Sequence, residues 1–225
     1  MSKIEEKFPI LSEDSTFKAV FANEENILIE MISDITGIKK EIFKDNVILE
    51  TDETSIKIID EKARNCDFII RLHNDNIITI ELNKYGNTGE IAKNLYHLFN
   101  LFDTEPKYNE DYEPDPIIIQ ISFSYLDLEK YDRIKPLGQY YLIENEPNKI
   151  YTKNAKIYEL NILKCHNIYH KEDINNIPNY IKWGELLYCK NIEDIPNITK
   201  DLLTPQESNL IINKISKEIE KSFID

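Results

Sequence analysis

Apolar positions along the chain follow two periods, and the switches between them outline the fold. From residue 14 to 35, Phe17, Val20, Phe21, Ile27, Leu28, Met31, Ile32 and Ile35 recur every three or four positions, which keeps them on one helix face. Asp14 is placed to cap the start of this helix, Asn23-Glu24 to interrupt it and Gly37 to end it. Between residues 47 and 83 the period becomes two. Strands are expected at 47–50, 55–59, 67–72 and 77–83, with the turn-rich tetrad His73-Asn74-Asp75-Asn76 joining the last two as a tight hairpin. After a loop at 86–89, Ile91, Leu95, Leu98, Phe99 and Phe102 mark one face of a helix ending near Asp103. Residues 104–116 are acidic and carry three prolines, as an exposed connection does. The run IIIQISF at 117–123 is uniformly apolar enough for a strand buried on both faces.

The order helix, three strands, helix, strand predicts an α/β fold of the α-β-β-β-α-β kind. Beyond Leu128 the pattern weakens. Strands are expected at 139–143 and 157–163, a short helix at 183–189, and a closing amphipathic helix at 205–223 with Leu210, Ile211, Ile215 and Ile219 inward. Residues 1–128 are read as the core and 129–225 as an extension packed on it, not an independent domain.

Composition removes several classes. No apolar run approaches the roughly 20 residues of a membrane helix, and the N-terminus lacks the apolar stretch of a signal peptide. A cytoplasmic protein with no membrane partner is expected. Asp and Glu number 41 against 27 Lys and Arg, a net charge of −14. Such a field repels nucleic acid at long range, so a phosphate-binding role needs a local basic groove or bound cations. Arg64, Arg71 and Arg133 are the three arginines, leaving lysine to make most phosphate contacts. Cys66, Cys165 and Cys189 form no CxxC pair. Cys165-His166 with His170 lacks the two spaced pairs of a soft-ligand metal site, and reads instead as a strand-end cysteine beside surface histidines.

The informative polar positions are Asp67 on one strand and Glu81 with Asn83 on the next. Alternation puts Glu81 and Asn83 on one face. If Asp67 shares that face, two carboxylates and an amide converge on a space suited to Mg²⁺ or Mn²⁺, hard ions that keep waters and accept phosphate oxygens. Solvated acids beside a hairpin give the same spacing, so a glutamate on an exposed edge strand is the competing account. Glu81, however, ends the apolar run IITIEL just before a loop and a helix, where α/β sheets place ligands.

The segment DSTFKAVFANEENILIEMISDITG resembles the N-terminal helix pair of the Rpn family, recombination-promoting nucleases and transposase-like proteins with a PD-(D/E)xK core. KARNCDFIIRLHNDNIITIELN resembles its nuclease hairpin, IAKNLYHLFNLF its basic, tyrosine-bearing helix, and YEPDPIIIQISFSYLD the strand that follows. IYELNILK and KWGELLY resemble weaker downstream elements, so the likeness runs from about residue 12 to about 190. It implies a restriction-endonuclease-like core, a mixed sheet flanked by helices, and Mg²⁺- or Mn²⁺-dependent cleavage of DNA. Asp67 and Glu81 would be the metal ligands, with the carbonyl of Leu82 as a further one. Lys93 and Tyr96 take the family's basic and tyrosine positions, facing DNA; a solvated lysine beside a half-buried tyrosine is the structural alternative.

The third motif position, Lys in many such enzymes and Gln in this family, falls on Asn83. Its amide can orient water but cannot act as a cation, and alternation turns the adjacent Lys84 away. Glu25, Glu30, Asp60 and Glu61 are candidate accessory ligands, and a homodimer is left open. The rival reading is a catalytically silent nuclease scaffold that binds a protein partner or mimics nucleic acid. The charge of −14, the three arginines and the shortened residue at 83 motivate it.

Overall fold

The computed structural model describes residues 9–22, 24–43, 47–50, 68–72, 76–83, 90–103, 117–125, 135–143, 150 and 152–222. The strand expected at 55–59 and the candidates Asp60, Glu61 and Asp67 lie outside them. Among the described residues, six strands form one mixed sheet in the order β1-β2-β3-β4-β6-β5. They are β1 (Val47–Glu50), β2 (Phe68–Leu72), β3 (Ile77–Asn83), β4 (Ile118–Ser124), β5 (Leu137–Tyr141) and β6 (Ala155–Asn161). β2 and β3 are the antiparallel hairpin, while β3, β4 and β6 run parallel at the centre. Every residue of β3 and β4 is buried, as expected for strands covered on both faces. The expected core order is therefore present, and the C-terminal third completes the same sheet by adding β6 beside β4.

Among the described residues, seven α-helices accompany the sheet: α1 (Asp14–Phe21), α2 (Glu25–Thr36), α3 (Glu90–Asp103), α4 (Ile162–Tyr169), α5 (Asn179–Tyr188), α6 (Ile195–Thr199) and α7 (Pro205–Ser222). Ala22 adopts an extended backbone and separates α1 from α2, and Gly37 closes α2 in the left-handed region at φ 73°. The N-cap of α1 is Glu13 rather than Asp14, which is the first helical residue and places its charge in the first turn.

Alternation gives the central strands two unlike faces. Ile78, Ile80, Leu82, Ile119, Ile121, Phe123, Tyr158 and Leu160 make an apolar face, joined in one core to residues of α1, α2, α4, α5 and α7. Phe17 of α1 sets its ring edge-on against Phe68 and Phe123, at centroid distances of 5.5 and 6.0 Å. α3 packs over the opposite face.

Two expectations are corrected here. The strand foreseen at 157–163 ends at Asn161, whose side chain accepts a hydrogen bond from the Lys164 amide at 3.0 Å and starts α4. An asparagine cap thus overrides the strand preference of Ile162, and Cys165 is a fully buried helical residue, not a strand end. In α3, Ile91, Leu95 and Phe99 are exposed, and the buried stripe is Asn94, His97 and Leu98. The reason lies beneath the helix: at the ends of β3 and β4 the sheet presents hydrogen-bonding side chains, which select the polar stripe. No described helix is long and apolar enough to cross a membrane.

Candidate active site

The face under α3 changes character along the strands. Near their starts it is apolar, with Ile69, Ile77, Ile118 and Ala155 gathered around Leu98 of α3. Toward the C-terminal ends of the parallel strands it becomes polar. The register aligns Thr79 with Gln120, Glu81 with Ser122, and Asn83 with Ser124, all buried. Directly paired residues share a face, so these side chains form a polar floor where parallel sheets hold ligands.

Glu81 is 3% exposed, which settles its orientation against a solvated edge position. The ammonium of Lys93, reaching down from α3, pairs with its Oε1. A buried carboxylate needs such compensation, because loss of hydration otherwise disfavours its charge. Lys93 keeps 43% of its side-chain surface in solvent, so the pair bridges interior and surface.

Asn83 turns its amide nitrogen into a buried network. That nitrogen donates to Ser122 Oγ at 2.6 Å and to Asn94 Oδ1 at 3.4 Å, while Asn94 donates to Ser122 Oγ at 3.2 Å and Gln120 donates to Asn94 Oδ1 at 3.2 Å. Among the described residues, the buried Thr79 Oγ1 and Gln120 Oε1 have no hydrogen-bond partner. Around Glu81 the floor is thus an oxygen-rich donor set with a carboxylate and unused oxygens, the chemistry that suits a hard divalent ion. His97, beside Lys93 on α3, has its pKa drawn down to about 4 by burial and by the nearby Lys93 charge, so its imidazole is neutral at physiological pH.

A family of PD-(D/E)XK nuclease transposases matches residues 11–222. The chain belongs to this family. No curated protein and no solved structure matches it. As a PD-(D/E)XK nuclease family transposase, the protein has a nuclease-like or transposase-like function, and its six-stranded mixed sheet flanked by helices agrees with that class. Nucleases of this class generally use divalent metal ions.

The placement of each foreseen residue can now be stated. Glu81, Asn83 and Lys93 come together on the polar floor, and Leu82 points to the opposite, apolar face with its side chain. Tyr96 is exposed on α3, its ring 6.1 Å from that of His97. Asp67 lies outside the described residues. Glu30 pairs with Lys40, and its helix belongs to the layer on the apolar face, so it is not directed at the floor; Glu25, on the same helix, is exposed. Asn94, Gln120 and Ser122 escaped the sequence reading because hydrogen-bonding side chains have no spacing signature.

Glu159 on β6 also escaped it. It is 3% exposed, aligned with Ser122 and hence in one row with Glu81, and Tyr140 donates to its Oε1 at 3.4 Å. Two strand spacings, about 10 Å, separate the backbones of the two glutamates. A signal existed: the tripeptide Glu-Leu-Asn occurs at 81–83 and again at 159–161, in equivalent register.

Proposed function

We propose that this family member is a divalent-metal-dependent DNA endonuclease acting in recombination of mobile elements in the cytoplasm, with Mg²⁺ or Mn²⁺ held by Asp67 and Glu81 and by the carbonyl oxygen of Leu82. The observation that carries the reading is Glu81: a carboxylate buried at the C-terminal end of a parallel strand, on a floor of neutral oxygens, with a partly exposed cationic side chain above it. The hairpin supports Asp67 as its partner. Asp67 directly precedes Phe68 in sequence, and Phe68 pairs with Ile80, the neighbour of Glu81. When bound, the ion lowers the pKa of an attacking water and offsets charge on the phosphate. Asn83, with its nitrogen committed to Ser122, has its amide oxygen fixed for orienting that water. Lys93 has two destinations for its ammonium, Glu81 in the free protein and a DNA phosphate in the complex. Tyr96, exposed on the same helix, meets the DNA backbone.

Cleavage of supercoiled plasmid in Mg²⁺ or Mn²⁺ tests the proposal. Asp67→Asn and Glu81→Gln are each expected to reduce cleavage by about 100-fold or more, since a lost ligand removes the ion's contribution. Cleavage by both variants at the wild-type rate rejects the site. A second reading draws on the same ion pair. The Lys93 ammonium is a built-in cation on Glu81, and with a net charge of −14 it suits a silent scaffold that binds a protein or mimics nucleic acid. No heat of Mg²⁺ binding together with no cleavage selects that reading.

A further inference from the structure

A second cluster with metal-binding chemistry lies in the layer packed on the other side of the sheet, away from Glu81. The segment His166-Asn167-Ile168-Tyr169-His170 sets two imidazoles four positions apart, on one face of α4 and its C-cap. α5 lies close beside α4 because Gly184 has no side chain there: a Cβ would meet Cys165 Cβ at 2.3 Å. The next residue, Glu185, is buried, and its two oxygens face the two imidazoles, at 2.8 Å from His166 Nδ1 and 3.1 Å from His170 Nε2. One ligand atom from each of the three residues lies within 4.8 Å of the others.

In sequence the histidine pair lacks the second spaced ligand pair of a soft-ligand site. Its third ligand, Glu185, sits on a different helix, where spacing arguments do not reach. An independent observation points to an occupant. The three residues line a cleft of about 350 Å³, and Tyr169 lines it too. The Tyr169 hydroxyl is buried with no hydrogen-bond partner among the described residues. A tyrosine with an unfilled hydroxyl thus lines the same cleft as three convergent ligand atoms, a setting that suits a metal-bound water or anion.

We propose that His166, His170 and Glu185 bind a divalent transition ion of the zinc class, clasping α4 to α5. Two imidazoles and one carboxylate favour a borderline ion over Mg²⁺. Three protein ligands leave a fourth position for a water or anion from the cleft they line. In metalloprotease helices of the H-E-x-x-H kind, the residue after the first histidine is the general base; here it is Asn167, which is exposed. The site therefore lacks that base, and its role is to hold two helices together. The ion would sit between Glu185 and the imidazole nitrogens that now face it, each neutral ring then carrying its hydrogen on the other nitrogen. Because α4 begins at Ile162, directly after Asn161, the last residue of β6, the clasp also anchors the strand that carries Glu159.

This inference does not rest on the nuclease reading. Metal-free full-length protein is titrated with Zn²⁺ by calorimetry in excess Mg²⁺, and with Co²⁺ followed by its visible absorption. The expected result is one Zn²⁺ per chain, a raised melting temperature, and the absorption bands of nitrogen-ligated Co²⁺. His170→Ala, at a side chain 57% exposed and with His166 still paired to Glu185, is expected to weaken Zn²⁺ binding by more than about tenfold. Glu185→Gln should do the same, and Glu81→Gln should leave the isotherm unchanged. No Zn²⁺ binding, or binding that survives His170→Ala, overturns the proposal. So does binding abolished by Glu81→Gln, which would assign the ion to the polar floor.

Discussion

His97 shows at the level of one side chain what burial under α3 requires. Its pKa in the folded protein, about 4, lies below the ordinary value of 6.5. Between those two values the unfolded chain takes up a proton and the folded protein does not, so stability rises with pH across that window. Its contribution is complete above about pH 6.5 and falls as acid is added toward pH 4, by up to about 3 kcal/mol. Urea denaturation near pH 7 and near pH 4.5 measures this, and His97→Gln is expected to flatten the dependence. Lys93 makes the complementary case. Lys93→Met removes the ammonium from a buried carboxylate and should cost about 1–3 kcal/mol. The double variant with Glu81→Gln should recover most of that loss, because no buried charge is then left to compensate. Single and double variants of equal stability would show that the pair does not set the balance.

Among the elements, the α4–α5 pair is decided by one missing side chain. A Cβ on residue 184 would lie 2.3 Å from Cys165 Cβ and 2.7 Å from its Sγ. Gly184→Ala must therefore drive the helices apart, with an expected loss of about 1–3 kcal/mol in thermal unfolding. Cys165→Ala should not rescue it, since the clash with the Cβ persists; full rescue would mean that the sulfur alone is the obstacle. α3 teaches the opposite lesson about reading helices. Its apolar residues at 91, 95 and 99 look like an inward face by period, yet they are exposed, while Asn94 and His97 are buried. The floor below offers Ser122, Gln120 and Asn83, and hydrogen bonds to those groups outweigh the apolar stripe as the choice of buried face.

For the molecule as a whole, a net charge of −14 is a standing cost to compactness. Raising monovalent salt from about 10 mM to about 300 mM shortens the screening length to below about 10 Å. The melting temperature is expected to rise by a few degrees, and a fall would show that attractive ion pairs outweigh the repulsion. The same charge makes a local cation necessary for any approach of DNA, and Lys93 above Glu81 is such a cation. The sheet joins the two halves of the chain: β6 lies beside β4, so the C-terminal third supplies Glu159 to the polar face and α4 and α5 to the apolar one.

Local pattern alone determined a good part of this. The helix pair broken near residue 23, the hairpin of β2 and β3, the doubly buried β4 and the closing helix are all written in periodicity and turn residues, because those features depend on neighbours in sequence. So was the candidate carboxylate Glu81, set in an apolar strand that runs into a loop and a helix. Tertiary structure decided the rest. Which stripe of α3 is buried depended on the strands beneath it, and the row of Glu81, Ser122 and Glu159 depended on strand order. The meeting of His166 and His170 with Glu185 depended on two helices approaching at a glycine. A period states which side chains share a face; only packing states what that face meets, since the partners come from distant parts of the chain.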